Sequence, residues 1–110
     1  MSPDRAYLDD IIHSALLASS YIAGLTFDQF EVDTKTQDAV IRRLELIGEA
    51  VKRLTPAVTG AMPHIDWRRI ADMRNFMIHR YWDVDLTIVW STAGDDLPPL
   101  INAIEEYQTP

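Results

Sequence analysis

The sequence predicts an all-α protein, an antiparallel bundle of four to five helices, on three observations. Apolar residues recur at spacings of three and four over most of the 110 residues. No stretch alternates apolar and polar residues as a half-buried strand would. Residues suited to capping a helix stand just ahead of the periodic stretches, at Thr34, Asp66 and Asp85.

The first helix is expected from about Asp4 to Ala23, with Leu8, Ile11, Ile12, Ala15, Leu16, Ser19 and Ile22 on its apolar face and Gly24 as its stop. Thr26 to Phe30 reads as a turn or a single helical turn. Thr34-Lys35-Thr36-Gln37 reads as a capping box opening the second long helix. There Val40, Leu44, Ile47, Val51 and Leu54 form a seam that Thr55-Pro56 closes. Thr55 to Ile65, with Pro56, Gly60 and Pro63, is expected as the main loop. Asp66 caps a third helix that points Ile70, Met73, Met77 and Tyr81 inward. Asp83-Val84-Asp85 makes a tight connection, and Asp85 caps a fourth helix with Leu86, Val89, Trp90, Ala93, Leu97, Leu100, Ile101 and Ile104 as its stripe. Pro98-Pro99 falls within that stripe and must kink or restart the helix, with Asp95 or Asp96 as a cap.

Composition bounds the class. Apolar residues make up 47% and charged residues 25%, the balance of an ordinary globular chain, which excludes disorder, collagen and a coiled-coil rod. The length suits one compact domain, residues 1–110. No apolar run approaches the ~18 residues of a membrane span. Met1-Ser2-Pro3-Asp4-Arg5 does not resemble a signal peptide, and there is no cysteine, so a cytoplasmic protein without disulfides or thiolate metal sites is expected. A chain this short buries little of its surface alone. The two long seams, with Trp67, Trp82 and Trp90, suggest apolar surface left for a partner, most simply a homodimer.

The net charge of −7 argues against nucleic acid, yet its distribution does not. Residues 42–80 hold Arg42, Arg43, Lys52, Arg53, Arg68, Arg69, Arg74 and Arg80 against four acids, giving +4 while the remainder carries −11. An acidic chain with a basic middle can hold phosphate locally, although solvated helix faces with ion pairs four residues apart explain the same pattern.

Several chemistries drop out. The glycines are isolated, so no phosphate-cradling loop is present, and there is no nucleophile elbow. His13, His64 and His79 lack the spacing of metal ligands. His13 reads as a solvated side chain near Asp9 and Asp10, and His64 as a structural loop residue. The dense stretch is Asp72 to Tyr81. On a helix Asp72, Asn75 and His79 share one face, so a carboxylate and an amide can orient the imidazole. Arg74 and Tyr81 share a neighbouring face, and Arg74 and His79 diverge by about 140°. Glu49 can orient Arg74 or pair with Arg42 or Arg53. Taken alone, this stretch equally suits an ordinary amphipathic helix.

Arg74-x4-His79-x-Tyr81, with Asn75 after the arginine, resembles the signature of the HEPN superfamily, and within it of the HepT toxins of HepT/MNT toxin–antitoxin pairs. The resemblance covers almost the whole chain. It includes Tyr7-Leu8, Ile11, Phe27-x-x-Phe30, Asp33 and Ala39-Val40-x-Arg42-x-Leu44-x-x-Ile47-Gly48-Glu49-Ala50. It continues through Pro63-x-Ile65-x-Trp67-x-x-Ile70, Met73-Arg74-Asn75, Trp90 and Asp96-Leu97-Pro98-x-Leu100.

The resemblance implies a helical homodimer with a metal-independent endoribonuclease site between protomers. Arg74 and His79 would be the catalytic pair, with Asn75 and Asp72 in support and no metal or other cofactor. Arg42, Arg43, Arg53, Arg69 and Arg80 would contact RNA. It further implies a minimal nucleotidyltransferase as antitoxin partner, which adenylylates Tyr81. The alternative is a non-catalytic helical dimer that docks a nucleotidyltransferase or binds nucleotide, which the acidic surface favours.

Overall fold

The computed structural model describes residues 3–72 and 85–110. Met73, Arg74, Asn75, Met77, His79, Arg80, Tyr81, Trp82 and the Asp83-Val84 connection lie outside the described residues.

All regular structure among the described residues is helical, as expected. In chain order the helices are α1 (Pro3–Ile22), α2 (Phe27–Glu31), α3 (Thr34–Lys52) and α4 (Pro56–Gly60). They are followed by α5 (67–72 among the described residues), α6 (Leu86–Ser91) and α7 (Leu97–Gln108), with a widened turn, Thr92–Asp96, joining the last two. Gly24 ends α1 with φ of +78°, a left-handed conformation that favours glycine.

Helix α1 packs along α3, and α7 packs against α1. The start of α1 is tied to the end of α3, because the Asp4 carboxylate accepts from the Thr55 backbone N–H at 2.9 Å and from its hydroxyl at 2.8 Å. The two long helices are therefore antiparallel. Their contact is lined by Leu8, Ile11, Ala15 and Ala18 on α1 and by Val40, Leu44, Ile47 and Val51 on α3, all buried. Ala15 and Ala18 keep the α1 face low enough for close helix approach. The buried face is rotated from the one the periodicity suggested: Ser14 and Ala18 lie inside, whereas Leu16 is 52% exposed.

The seam on α3 is thus covered within the chain, which corrects the expectation that it is left for a partner. Two tryptophans are also engaged internally. Trp90 meets Phe30 and Phe27 with ring centroids 5.2 and 6.0 Å away. The Trp67 indole N–H donates to the Met62 carbonyl at 3.1 Å while the ring packs against the core.

Two local expectations need correction. The cap of α3 is Asp33, whose carboxylate accepts from the Thr36 N–H at 3.1 Å and from its hydroxyl at 2.6 Å. Gln37 instead donates to the carbonyls of Phe30 and Glu31, clamping α2 to α3. The reciprocal capping box belongs to α2, between Thr26 and Gln29. Second, the expected loop contains α4, because Pro56 that ends one helix is also well suited to the first turn of the next. The fourth stripe restarts at the prolines as expected: they sit in the first turn of α7, after a segment in which the Leu97 N–H bonds to the Thr92 carbonyl, five residues back. Asp96 occupies the cap position of α7 but its side chain makes no capping bond there.

Candidate functional site

The helix leading toward the Arg-His motif is fixed at its start. The Asp66 carboxylate accepts from the Arg69 N–H at 3.1 Å, the N-cap expected from the sequence. Trp67 anchors the first turn through its indole bond, and Ile70 is buried in the core. Together these set the direction in which α5 runs. Asp72 is the last described residue of α5 and is exposed.

Arg69, on the same helix, makes an ion pair with Asp96 at 3.2 Å. Asp96 is thereby drawn from capping α7 to holding α5. A cleft of about 200 Å³ lies beside this pair, with Ile70, Ile88 and Leu97 as apolar wall and Asp72 and Thr92 at its rim. His64 and Asp66 border a separate depression that Arg69 and Asp96 also line.

A second concave region lies between α1 and α3, a groove of about 330 Å³. Tyr7, Asp10 and His13 reach it from α1, and Arg43, Glu49 and Arg53 from α3. Tyr7, Asp10 and His13 are three residues apart, and with Leu46 and Ala50 the α3 set also steps by three and four, so each occupies one stripe of its helix. Arg43 and Arg53 make no ion pair among the described residues.

The sequence-predicted cations therefore divide. Arg43 and Arg53 share the groove. Arg42 is on the same helix but pairs with Glu45 at 3.6 Å. Arg69 is held by Asp96, next to a different cleft. Arg80 lies outside the described residues, as do Arg74, Asn75, His79 and Tyr81. Glu49 borders the groove with Arg53, while Arg42 takes Glu45 as its partner. Sequence reasoning missed Tyr7 and Asp10 as groove residues and read His13 as merely solvated. Their spacing on α1 was visible, but the register of α1 against α3 was not.

The described residues form an all-helical fold with an arginine-bearing groove, and comparison with known families assigns the chain to a ribonuclease class. The family model described as "Ribonuclease HepT-like" matches residues 11–107, and the chain belongs to that family. It is 40% identical over 104 residues to the probable ribonuclease HepT of Thermococcus cleftensis, covering 94% of each chain. It is 39% identical to a protein named as a candidate RNase in Methanocaldococcus jannaschii, covering 93% of this chain and 84% of that one. Another protein so named, from Caldanaerobacter subterraneus, is 33% identical over 96% of this chain and 95% of its own. No solved structure matches. RNase activity is thus supported at the level of the family.

Proposed function

We propose that the chain is the toxin of a two-component pair and cuts RNA without a metal ion, through Arg74 and His79. The observation that carries this reading is the Arg74-x4-His79-x-Tyr81 motif in a chain of the HepT-like family, following directly on the Asp66-capped helix. RNA supplies its own nucleophile. The 2′-hydroxyl loses its proton to a base and attacks the adjacent phosphorus, the P–O5′ bond breaks, and the departing oxygen takes a proton from an acid. The products are a 2′,3′-cyclic phosphate and a 5′-hydroxyl. An imidazole with an ordinary pKa near ~6.5 serves as base or acid at neutral pH. Arg74 stabilises the charge that builds on the non-bridging oxygens. Asn75 and Asp72 hold His79 in orientation.

One imidazole does not easily fill both roles in a single turnover, so a two-fold homodimer supplies the second. The antitoxin is a minimal nucleotidyltransferase that places adenylate on the Tyr81 hydroxyl. Adenylate there adds bulk and negative charge where an RNA phosphate must sit. Tyr81→Phe is expected to escape neutralisation by the partner; full neutralisation of that variant refutes the modification.

The decisive experiment is RNA cleavage in excess EDTA by the parent protein and by His79→Ala. Cleavage by the parent alone, leaving cyclic phosphate ends, is the expected result. Products with 5′-phosphate ends, or strict dependence on a metal, overturn the mechanism. No cleavage by either protein favours the non-catalytic dimer that docks a nucleotidyltransferase, with which the net charge of −7 also agrees.

A further inference from the structure

We infer that the groove between α1 and α3 is a track for single-stranded RNA, in which Arg43 and Arg53 hold backbone phosphates, Tyr7 stacks on a base and Asp10 reads base amino groups. The inference rests on the ribonuclease reading above and specifies where on the protomer the substrate lies outside the scissile bond.

Four observations converge on it. Of the four described arginines assigned to RNA from the sequence, Arg42 and Arg69 are each engaged by a carboxylate, whereas Arg43 and Arg53 make no ion pair among the described residues. Those two share one groove. They are ten residues apart, Arg43 within α3 and Arg53 at its C-cap, about 15 Å along the axis, a span that crosses more than one nucleotide of a strand. The Asp4–Thr55 tie fixes the register, so that Tyr7 stands toward the Arg53 end and His13 toward the Arg43 end.

The distribution of charge favours a polynucleotide over a small anion. Carboxylates of Asp10 and Glu49 share the groove with the arginines. A free phosphate ion gains little where carboxylates stand beside guanidinium groups. A nucleic-acid strand presents both kinds of surface, phosphates for the arginines and exocyclic amino groups as donors to a carboxylate. Tyr7 is half-buried with its ring against the core, a fixed aromatic face of the kind on which unpaired bases stack. Uracil has no amino group, so a preference for cytosine over uracil follows.

The test uses the full chain and oligonucleotides of about ten residues carrying 2′-O-methyl groups, which bind but cannot be cut. Oligocytidylate binding is followed by fluorescence anisotropy at several salt concentrations. The double variant Arg43→Gln/Arg53→Gln is expected to bind at least tenfold more weakly. The slope of log affinity against log salt should shrink by roughly 0.7 for each arginine removed. Lys35→Gln and Arg68→Gln, exposed cations outside the groove, serve as controls and should bind within about twofold of the parent. Asp10→Asn should narrow the difference between oligocytidylate and oligouridylate, a change that a merely structural role would not produce.

Parent-like binding by the double variant, or equal losses in the two controls, overturns the inference. Cleavage of unmodified RNA is measured in parallel. A parent that cuts RNA while its groove variants bind normally leaves the ribonuclease reading standing and removes the groove. A parent that neither cuts nor binds RNA removes both.

Discussion

Asp33 and Asp85 perform the same task at two helix starts. Each carboxylate accepts from the hydroxyl and backbone N–H of a nearby threonine, Thr36 for Asp33 and Thr87 for Asp85. The hydroxyl bonds, followed by the backbone bonds, hold both carboxyls below their ordinary value of 3.8. A depressed folded-state pKa stabilises the fold above the ordinary carboxylate range, and the benefit disappears as pH falls through the lowered value. Asp33→Ala and Asp85→Ala should therefore lower the melting temperature at neutral pH, with the gap from the parent closing as pH falls below the ordinary carboxylate range. Thermal melts across that range check it; a gap independent of pH would place the effect outside the carboxyl charge. Asp96 is different, since its partner Arg69 is mostly exposed, at 66%, against 29% for Asp96. Asp96→Asn should cost less than about 1 kcal/mol of stability by chemical denaturation. A larger reduction in RNA cleavage than in stability would mark the pair as positioning α5.

At the scale of elements, stability is concentrated in α1 against α3. Leu44→Ala, at a fully buried site, should destabilise by about 2–5 kcal/mol in urea unfolding. The long helices were legible because 20 and 19 residues of consistent period outweigh local ambiguity, and Gly24, Asp66 and Asp85 act where their chemistry predicts. Boundaries built from competing local signals were less so. Asp33-x-x-Thr36 and Thr34-x-x-Gln37 overlap, and tertiary contact with α2 draws Gln37 away from its own helix start. Pro56 reads as a terminator, yet it also opens α4. Leu16 fits an apolar stripe, but the closest packing on α3 turns the small residues inward instead. Of the candidate site, the motif residues were legible as types and spacings. The α1–α3 groove was not, since it depends on two helices meeting in one register.

For the whole molecule, the −7 net charge and the paired arginines have a combined consequence. Acidic residues elsewhere repel a polyanion at distance, while a few arginines attract it at contact. RNA binding should accordingly be slow to form and weak at low ionic strength compared with a basic nuclease, with a shallow salt slope set by few phosphates. Stopped-flow association at varied salt measures this. The proposed dimer makes a further demand. Sedimentation should give a mass of two chains, near twice 12.6 kDa, under the conditions in which RNA is cut. A chain that cleaves as a monomer would remove the second imidazole from the scheme.

The widened turn before α7 is a mechanical joint. In a regular helix the carbonyls of Gly94 and Asp95 would receive the N–H groups of residues 98 and 99, but both of those are proline. The Leu97 N–H reaches to Thr92 instead, so the hydrogen-bond ladder shifts to five-residue spacing between α6 and α7 and is weakest at that junction. Opening one helix need not propagate into the other. Helix α7 buries Leu100, Ile101, Ala103 and Ile104, whereas α6 buries Val89. Native-state hydrogen exchange should resolve two separate openings, α6 at the lower free energy, and Pro98→Ala/Pro99→Ala should merge them into one.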